Sequence, residues 1–579
     1  MGNTNAPSGR RSGASALMKA LEAQGVRYVF GLCGHTNVAV LAAAEQSTIR
    51  FVGVHHEQMA SHAADGYARV TGQPGVVLTH LGPGMTNALT GVANAALDSI
   101  PLVVITGNVQ SYFAGRHAHM ESTLHGDADQ SESYAPFCKR IWRVQHVDAL
   151  LPALSAAFRI ATSEPAGPVL LDVSMDVFSA QLDDSVGYRV ATPPTSAALD
   201  DELAARIAAA LAAARRPVVY AGAGVARERV GAQLVALAEA INAPVAYELM
   251  AKGAVDDAHP LVVGMTGLWG TPAANAACRE ADVLLAVGAS FGELDTSSWQ
   301  DGTTFSIPAT RLIHINADPV EIGRSYVAEI GAVASAASAI GAIGAHLTPV
   351  EGPRGLSTAL REVRDEFRAS VTAAQRSPSF PLHPARVVAD TVSALRPDDI
   401  LIGDTGWNKN GVAQQIPFDD RGRFIAPGGF ATMGFGPMAA LGTKIGRPEV
   451  ASVALVGDGA FLANLSVIVT AVEEGLPVVW VVMNNGTFAT ISGMERRHFD
   501  TDYGAMFDAS RLDYVTLAQA IGAEGLRVSA PDELGGAVAK AIAANVPYVI
   551  DVPCGLDHVP TTGHWDINAL FAEGRSNNE

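Results

Sequence analysis

A chain of 579 residues is too long for one hydrophobic core, and at about 100–200 residues per domain it divides into three or four. Hydrophobic residues at 48%, charged residues at 17% and 57 glycines suit a large α/β protein with buried parallel strands, and exclude disorder over most of the length. The net charge of −19 argues against a nucleic-acid partner, whose phosphates call for clustered Lys and Arg.

Residues 1–13 are polar and small and read as a flexible N-terminus without an apolar signal core. No apolar run approaches the length of a membrane span, so no membrane partner is expected. Cys33, Cys138, Cys278 and Cys554 contain no CxxC pair, so neither zinc nor a disulfide framework is expected and a reducing cytoplasm is the default.

Three blocks follow, each alternating short apolar strands with helices. The first, residues 14–190, has strand candidates at 26–32, 75–81 and 102–106. The second, 195–350, has them at 217–221, 283–287 and 312–316. A polar, Arg-rich helical linker at 355–380 leads to the third, 381–554, with candidates at 400–403, 452–456, 478–483 and 548–552. Residues 555–579 read as an extended tail. The repeated βα alternation predicts the α/β class, with three doubly wound parallel-sheet domains and ligands at the carboxyl ends of strands.

The densest chemistry is in the third block. Strand 452–456 runs into Gly457-Asp458-Gly459-Ala460, and Asn484-Asn485-Gly486-Thr487 closes the next strand, with Asp458 and Asn485 27 residues apart. Glycines let main-chain N–H groups approach a diphosphate, and Asp458 and Asn485 offer hard oxygen ligands to Mg²⁺. Together the two motifs resemble the signature of thiamine-diphosphate (ThDP) enzymes. The resemblance implies ThDP and Mg²⁺ as cofactors. It implies that Asp458, Asn485 and the Thr487 carbonyl hold the metal. Gly457, Gly459 and Ala460 would then lie against the diphosphate, with Thr405 and Gly406 as a further wall.

In the first block, Val54-His55-His56-Glu57-Gln58 resembles the pyrimidine-binding domain of the same family. Glu57 is then the activating carboxyl group, which on N1′ of the aminopyrimidine favours the imino tautomer that removes the C2 proton. His55 and His56 are left open between a role there and packing at the strand end. Ala431-Thr432-Met433-Gly434 resembles the segment in which a bulky apolar residue, Met433, wedges the cofactor into a bent shape while the Ala431 carbonyl accepts from the 4′-amino group. Relatives commonly carry Gly at the Ala431 position.

Nearly the whole chain is similar to acetolactate-synthase-like enzymes, through Gly82-Pro83-Gly84, Thr86-Asn87-Ala88, Asp98-Ser99-Ile100-Pro101 and residues 264–271. That implies a pyrimidine-binding domain, a middle domain and a diphosphate-binding domain. It also implies a homodimer or homotetramer with active sites at the subunit interface.

Departures from that pattern bear on substrate. Gly34-His35-Thr36-Asn37 replaces Pro-Gly-Gly and makes His35 a candidate acid/base. Residues 111–130 are rich in histidine (His117, His119, His125), with Tyr112, Phe113 and Phe137 as candidate pocket walls. Gly288-Ala289-Ser290-Phe291-Gly292-Glu293 lacks the Arg of flavin-binding acetolactate synthases, so FAD is not expected, while an ADP-like or coenzyme A ligand in the middle domain stays open. Met494 stands where those enzymes place a specificity Trp, and Glu495 either shuttles a proton or pairs with Arg496 or Arg497. These departures point to a 2-hydroxyacyl-CoA lyase releasing formyl-CoA and a ketone or aldehyde, reversibly, from an acyl-CoA substrate, with the tail as a lid. The alternatives are a decarboxylating carboligase on 2-keto acids and a C–C hydrolase of cyclic diketones.

Overall fold

In the computed structural model, which describes residues 9–121, 129–350, 355–507 and 512–576, the described residues form three six-stranded sheets and one two-stranded ribbon. Contacts divide the chain into two units: residues 1–195, 429–452 and 464–478 in one, and residues 196–428, 453–463 and 479–579 in the other.

The first unit holds strands Tyr28–Gly31, Arg50–Gly53, Gly75–Thr79, Leu102–Asn108, Ile141–Val144 and Val169–Ser174, all paired in parallel. In chain order they stand second, first, third, fourth, sixth, fifth. Helices cover both faces, so central strands such as Gly75–Thr79 are buried at every position and carry unbroken apolar runs. Helices Glu57–Thr71 and Phe435–Gly446 pack at glycines. A Cβ on Gly66 would overlap the Ala439 carbonyl oxygen, and one on Gly442 the Ala63 carbonyl oxygen. Only glycine permits that approach.

The second unit holds two sheets. The middle sheet has strands Pro217–Ala221, Val245–Tyr247, Val262–Met265, Val283–Val287, Arg311–Asn316 and Ile330–Val333, in the order third, second, first, fourth, fifth, sixth. The other has Ile400–Gly403, Phe424–Ile425, Ser452–Gly457, Val478–Asn484, Glu524–Arg527 and Tyr548–Pro553, and repeats the strand order of the first unit's sheet. The expected three doubly wound parallel sheets are what the chain forms, and helix Thr358–Gln375 occupies the expected linker.

Two expectations need correcting. Part of the stretch expected to be flexible is structured: Arg10–Ser12 pairs antiparallel with Gln181–Asp183, and the Ser12 side chain caps the helix Gly13–Ala23. The tail is not extended throughout, because Asp566–Ser576 is helical. Its Phe571 ring lies 5.2 Å from Phe499, burial that an unpaired extended segment would not gain. Among the described residues no helix is long and apolar enough to cross a membrane.

Candidate active site

The first unit presents Glu57 at the start of the Glu57–Thr71 helix, just beyond strand Arg50–Gly53. Its side chain is buried, and Oε2 accepts a hydrogen bond from Asn87 Nδ2 (3.0 Å). The two neighbouring histidines have local tasks. His56 Nδ1 accepts from Gln58 N (3.2 Å) and caps the helix, while exposed His55 pairs with Glu473 (2.8 Å).

His35 has a partner that the sequence reading missed. Its Nδ1 lies 2.8 Å from Nε2 of His80, and the His119 ring is 5.6 Å away. His80 follows strand Gly75–Thr79 directly, so a histidine at a strand's carboxyl end just before Gly82-Pro83-Gly84 was the available signal. Its ring explains Gly34, where a Cβ would overlap it. Burial first, then the His35 ring, lowers the His80 pKa, while Glu57 pulls it up. Asn87 was read only as a family match, and its hold on Glu57 became visible in three dimensions. His125 lies outside the described residues.

The segment before helix Phe435–Gly446 is anchored by a buried ion network. Arg69 bridges Asp65 (2.5 Å) and Asp98 (2.7 Å), Asn94 donates to Asp65 (3.1 Å), and Asp98 Oδ1 accepts from Gly429 N (2.8 Å). Ala431 sits at φ 51°, in the left-handed region, which costs roughly 1–2 kcal/mol for a residue with a Cβ and accounts for glycine's suitability there. Met433 is 38% exposed, so it does not fill the core.

In the second unit, Asp458 opens the short helix after strand Ser452–Gly457 and is 1% exposed. Its Oδ1 accepts from Gly459 N (2.8 Å), and its Oδ2 accepts from Asn485 N (3.0 Å) and Gly486 N (2.7 Å). The two sequence motifs therefore meet, as the 27-residue spacing implied. Asn485 Oδ1 accepts from Thr487 N (3.3 Å), so the third candidate ligand joins the same loop. Burial pushes Asp458 up to about 6, a penalty that a divalent cation would offset. On the loop after strand Ile400–Gly403, Gly406 adopts φ 122°, and the buried Thr405 Oγ1 and Trp407 Nε1 find no partner among the described residues. One carboxylate and one amide oxygen fit a cation, and unpaired donors suit the diphosphate oxygens that would share its shell.

A cleft of about 590 Å³ opens in the same unit, walled by Trp269, Trp407, Met494, Arg496, Arg497 and Trp565 among others. Glu495 is not among the residues lining it, which departs from the expectation of a proton shuttle at the mouth. On helix Ala489–Phe499 it points the other way, toward Gly504, and Arg496 pairs with Asp502 (2.7 Å) instead. The tail closes one side of the cleft. Thr562 Oγ1 donates to Gly270 O (2.8 Å), Trp565 Nε1 to Glu293 (3.2 Å), and His498 meets Asn568 (3.0 Å). Gly493 leaves room for the His558 ring.

Comparison with known proteins agrees with this layout. Residues 11–132 match the N-terminal TPP binding domain of thiamine pyrophosphate enzymes, residues 204–343 their central domain, and residues 404–552 their C-terminal TPP binding domain. The chain is 33% identical to a probable acetolactate synthase large subunit of Methanocaldococcus jannaschii, covering 93% of this chain and 91% of that protein. It is 33% identical to the acetolactate synthase large subunit of Corynebacterium glutamicum, over 96% and 88% of the two chains. With the isozyme 3 large subunit of Escherichia coli the identity is 32%, over 92% of each. With the cofactor-binding domains matched and similarity running nearly end to end, the chain belongs to the thiamine-diphosphate-dependent enzymes of the acetolactate synthase-like family.

Proposed function

We propose that this enzyme is a ThDP- and Mg²⁺-dependent carboligase that decarboxylates a 2-keto acid and joins the remaining carbon unit to a second carbonyl compound. The observation that carries the reading is the near full-length similarity to proteins named acetolactate synthase large subunits. The cleft supports it: Arg497 offers a guanidinium group to a carboxylate, and Trp269, Trp407 and Trp565 give the space apolar walls. The lyase reading looked to His35 and Glu495 for the base of a 2-hydroxyl, and of these Glu495 does not line the cleft and lies toward Gly504. The relatives, named acetolactate synthases, favour the carboligase over an acyl-CoA substrate.

Bound ThDP supplies a carbon nucleophile and electron sink next to the carbonyl. Asp458, Asn485 and Thr487 would hold its metal, and Met433 with Ala431 its central part. Glu57, fixed by Asn87, would exchange a proton with its aminopyrimidine. His35, backed by His80, would give or take the proton at a carbonyl oxygen. We carry over a homodimeric or homotetrameric state from the family.

The deciding experiment incubates the purified enzyme, ThDP and Mg²⁺ with pyruvate, with 2-hydroxyacyl-CoA thioesters, or with a cyclic diketone. Acetolactate formed from pyruvate is the expected result. Consumption of the thioester or the diketone, with pyruvate untouched, overturns the proposal.

A further inference from the structure

In an open sheet with the strand order of the middle domain, a dinucleotide lies where the order reverses, outside the carboxyl ends of the first and fourth strands. Here those are Pro217–Ala221 and Val283–Val287. Flavin-dependent relatives would lead one to expect a nucleotide at that point, but the residues do not fit one. The loops after the two strands already touch through their main chains: Gly222 N donates to Val287 O (2.9 Å) and Gly224 N to Gly288 O (3.0 Å). The approach is so close that a Cβ on Gly288 would stand 2.7 Å from Gly224 Cα.

Across the remaining gap lies Glu248, the residue after strand Val245–Tyr247. Its Oε1 accepts from Ala223 N (2.7 Å) and its Oε2 from Ser290 N (3.1 Å), so one carboxylate bridges both loops. The second loop is pinned from its other side as well, where the Ala289 carbonyl accepts from Asn316 Nδ2 (2.9 Å) and lies 2.9 Å from His314 Nε2. Below Glu248, Asp295 Oδ1 accepts from Leu249 N (3.0 Å). Glu248 is 3% exposed. Main-chain N–H groups that face a ligand phosphate in a nucleotide-binding sheet are therefore engaged by a side chain of the protein itself.

We infer that the middle domain is closed by its own carboxyl group: Glu248 takes the place of a ligand's phosphate oxygens, and the domain accepts neither FAD, ADP nor coenzyme A in this crevice. The domain is a scaffold braced from within. This holds whichever carbonyl substrate the enzyme uses.

The test is hydrogen–deuterium exchange on the full-length enzyme with ThDP and Mg²⁺, read in peptides spanning residues 222–228 and 288–293. Millimolar FAD, ADP or coenzyme A should leave exchange there unchanged, and slowed exchange with any of them overturns the inference. Glu248→Ala should speed exchange in both peptides by at least about tenfold, since two buried N–H groups lose their acceptor. Inorganic phosphate should slow it again in that variant alone. Glu248→Gln, which keeps the shape and one acceptor oxygen, should show a smaller acceleration and covers the case in which the alanine variant does not fold. Wild-type exchange in both variants, or an equal effect of phosphate on wild type, overturns it.

Discussion

His35 Nδ1 and His80 Nε2 stand 2.8 Å apart, one ring exposed and the other largely buried. His119, His35 and Glu57 are the titratable groups facing His80; burial and the His35 ring lower its pKa, and Glu57 opposes them. At neutral pH the buried ring is therefore uncharged and able to accept a proton. His80→Gln should lower turnover about 100-fold, within the range of acid–base contributions, while ThDP binding holds. His35→Gln removes the ring that lowers the His80 pKa, so the acid limb of the pH–rate profile should move to higher pH. Ring ¹⁵N shifts, followed with pH in wild type and His35→Gln, would check the same change without turnover.

Asp458→Ala should leave the fold intact and abolish retention of ThDP and Mg²⁺. Calorimetric titration reads it. Wild-type affinity in the variant would remove Asp458 from the metal site.

Gly442→Ala places a methyl group against the Ala63 carbonyl oxygen. Main chain cannot yield as a side-chain tip can, so the cost is at least the roughly 1–3 kcal/mol of an overpacked core. A lower apparent Tm is expected. Weaker ThDP binding should accompany it, because the displaced helix carries Glu57 at its start.

His62 is fully buried on the Glu57 helix, and neither ring nitrogen has a hydrogen-bond partner among the described residues. Burial, then Arg69, pushes its pKa from 6.5 down to about 3. The unfolded chain takes up a proton below about 6.5 that the native state refuses, so stability falls as pH drops from 6.5 toward 3. His62→Leu should raise the apparent Tm, with an advantage over wild type that widens as pH falls. Parallel melting curves for the two proteins across that range would contradict it.

Arg497 lines the cleft and is not among the residues proposed to hold ThDP. Arg497→Ala should raise KM for pyruvate by about tenfold or more, the worth of one hydrogen bond to a charged group, and change kcat less. Steady-state kinetics separate the two. Glu495→Ala should change neither.

Strand positions were readable because parallel strands buried on both faces carry unbroken apolar runs, as at Pro217–Ala221, Val283–Val287 and Ile400–Gly403. The meeting of Asp458 with Asn485 was readable because both close neighbouring strands of one sheet. Glu495 was misplaced because linear proximity to a metal loop does not say which face of the helix it occupies. His80 and Glu248 went unread for a related reason. Each acts through groups from other loops, His35 in one case and Ala223 with Ser290 in the other, and no local pattern encodes such meetings. The helix at the tail was missed because its apolar residues gain from docking, a tertiary term that composition does not carry.

Under the proposed function, the docked tail would also set a clock. Trp565 is both a wall of the cleft and, through Glu293 and Trp269, part of what ties the tail to the middle domain. On the proposed function, whatever occupies the cleft would leave more easily if those ties broke, so the dwell time of a product would depend on how firmly a few side chains hold the end of the chain. Weakening that hold would shorten each visit to the cleft without touching a reacting atom.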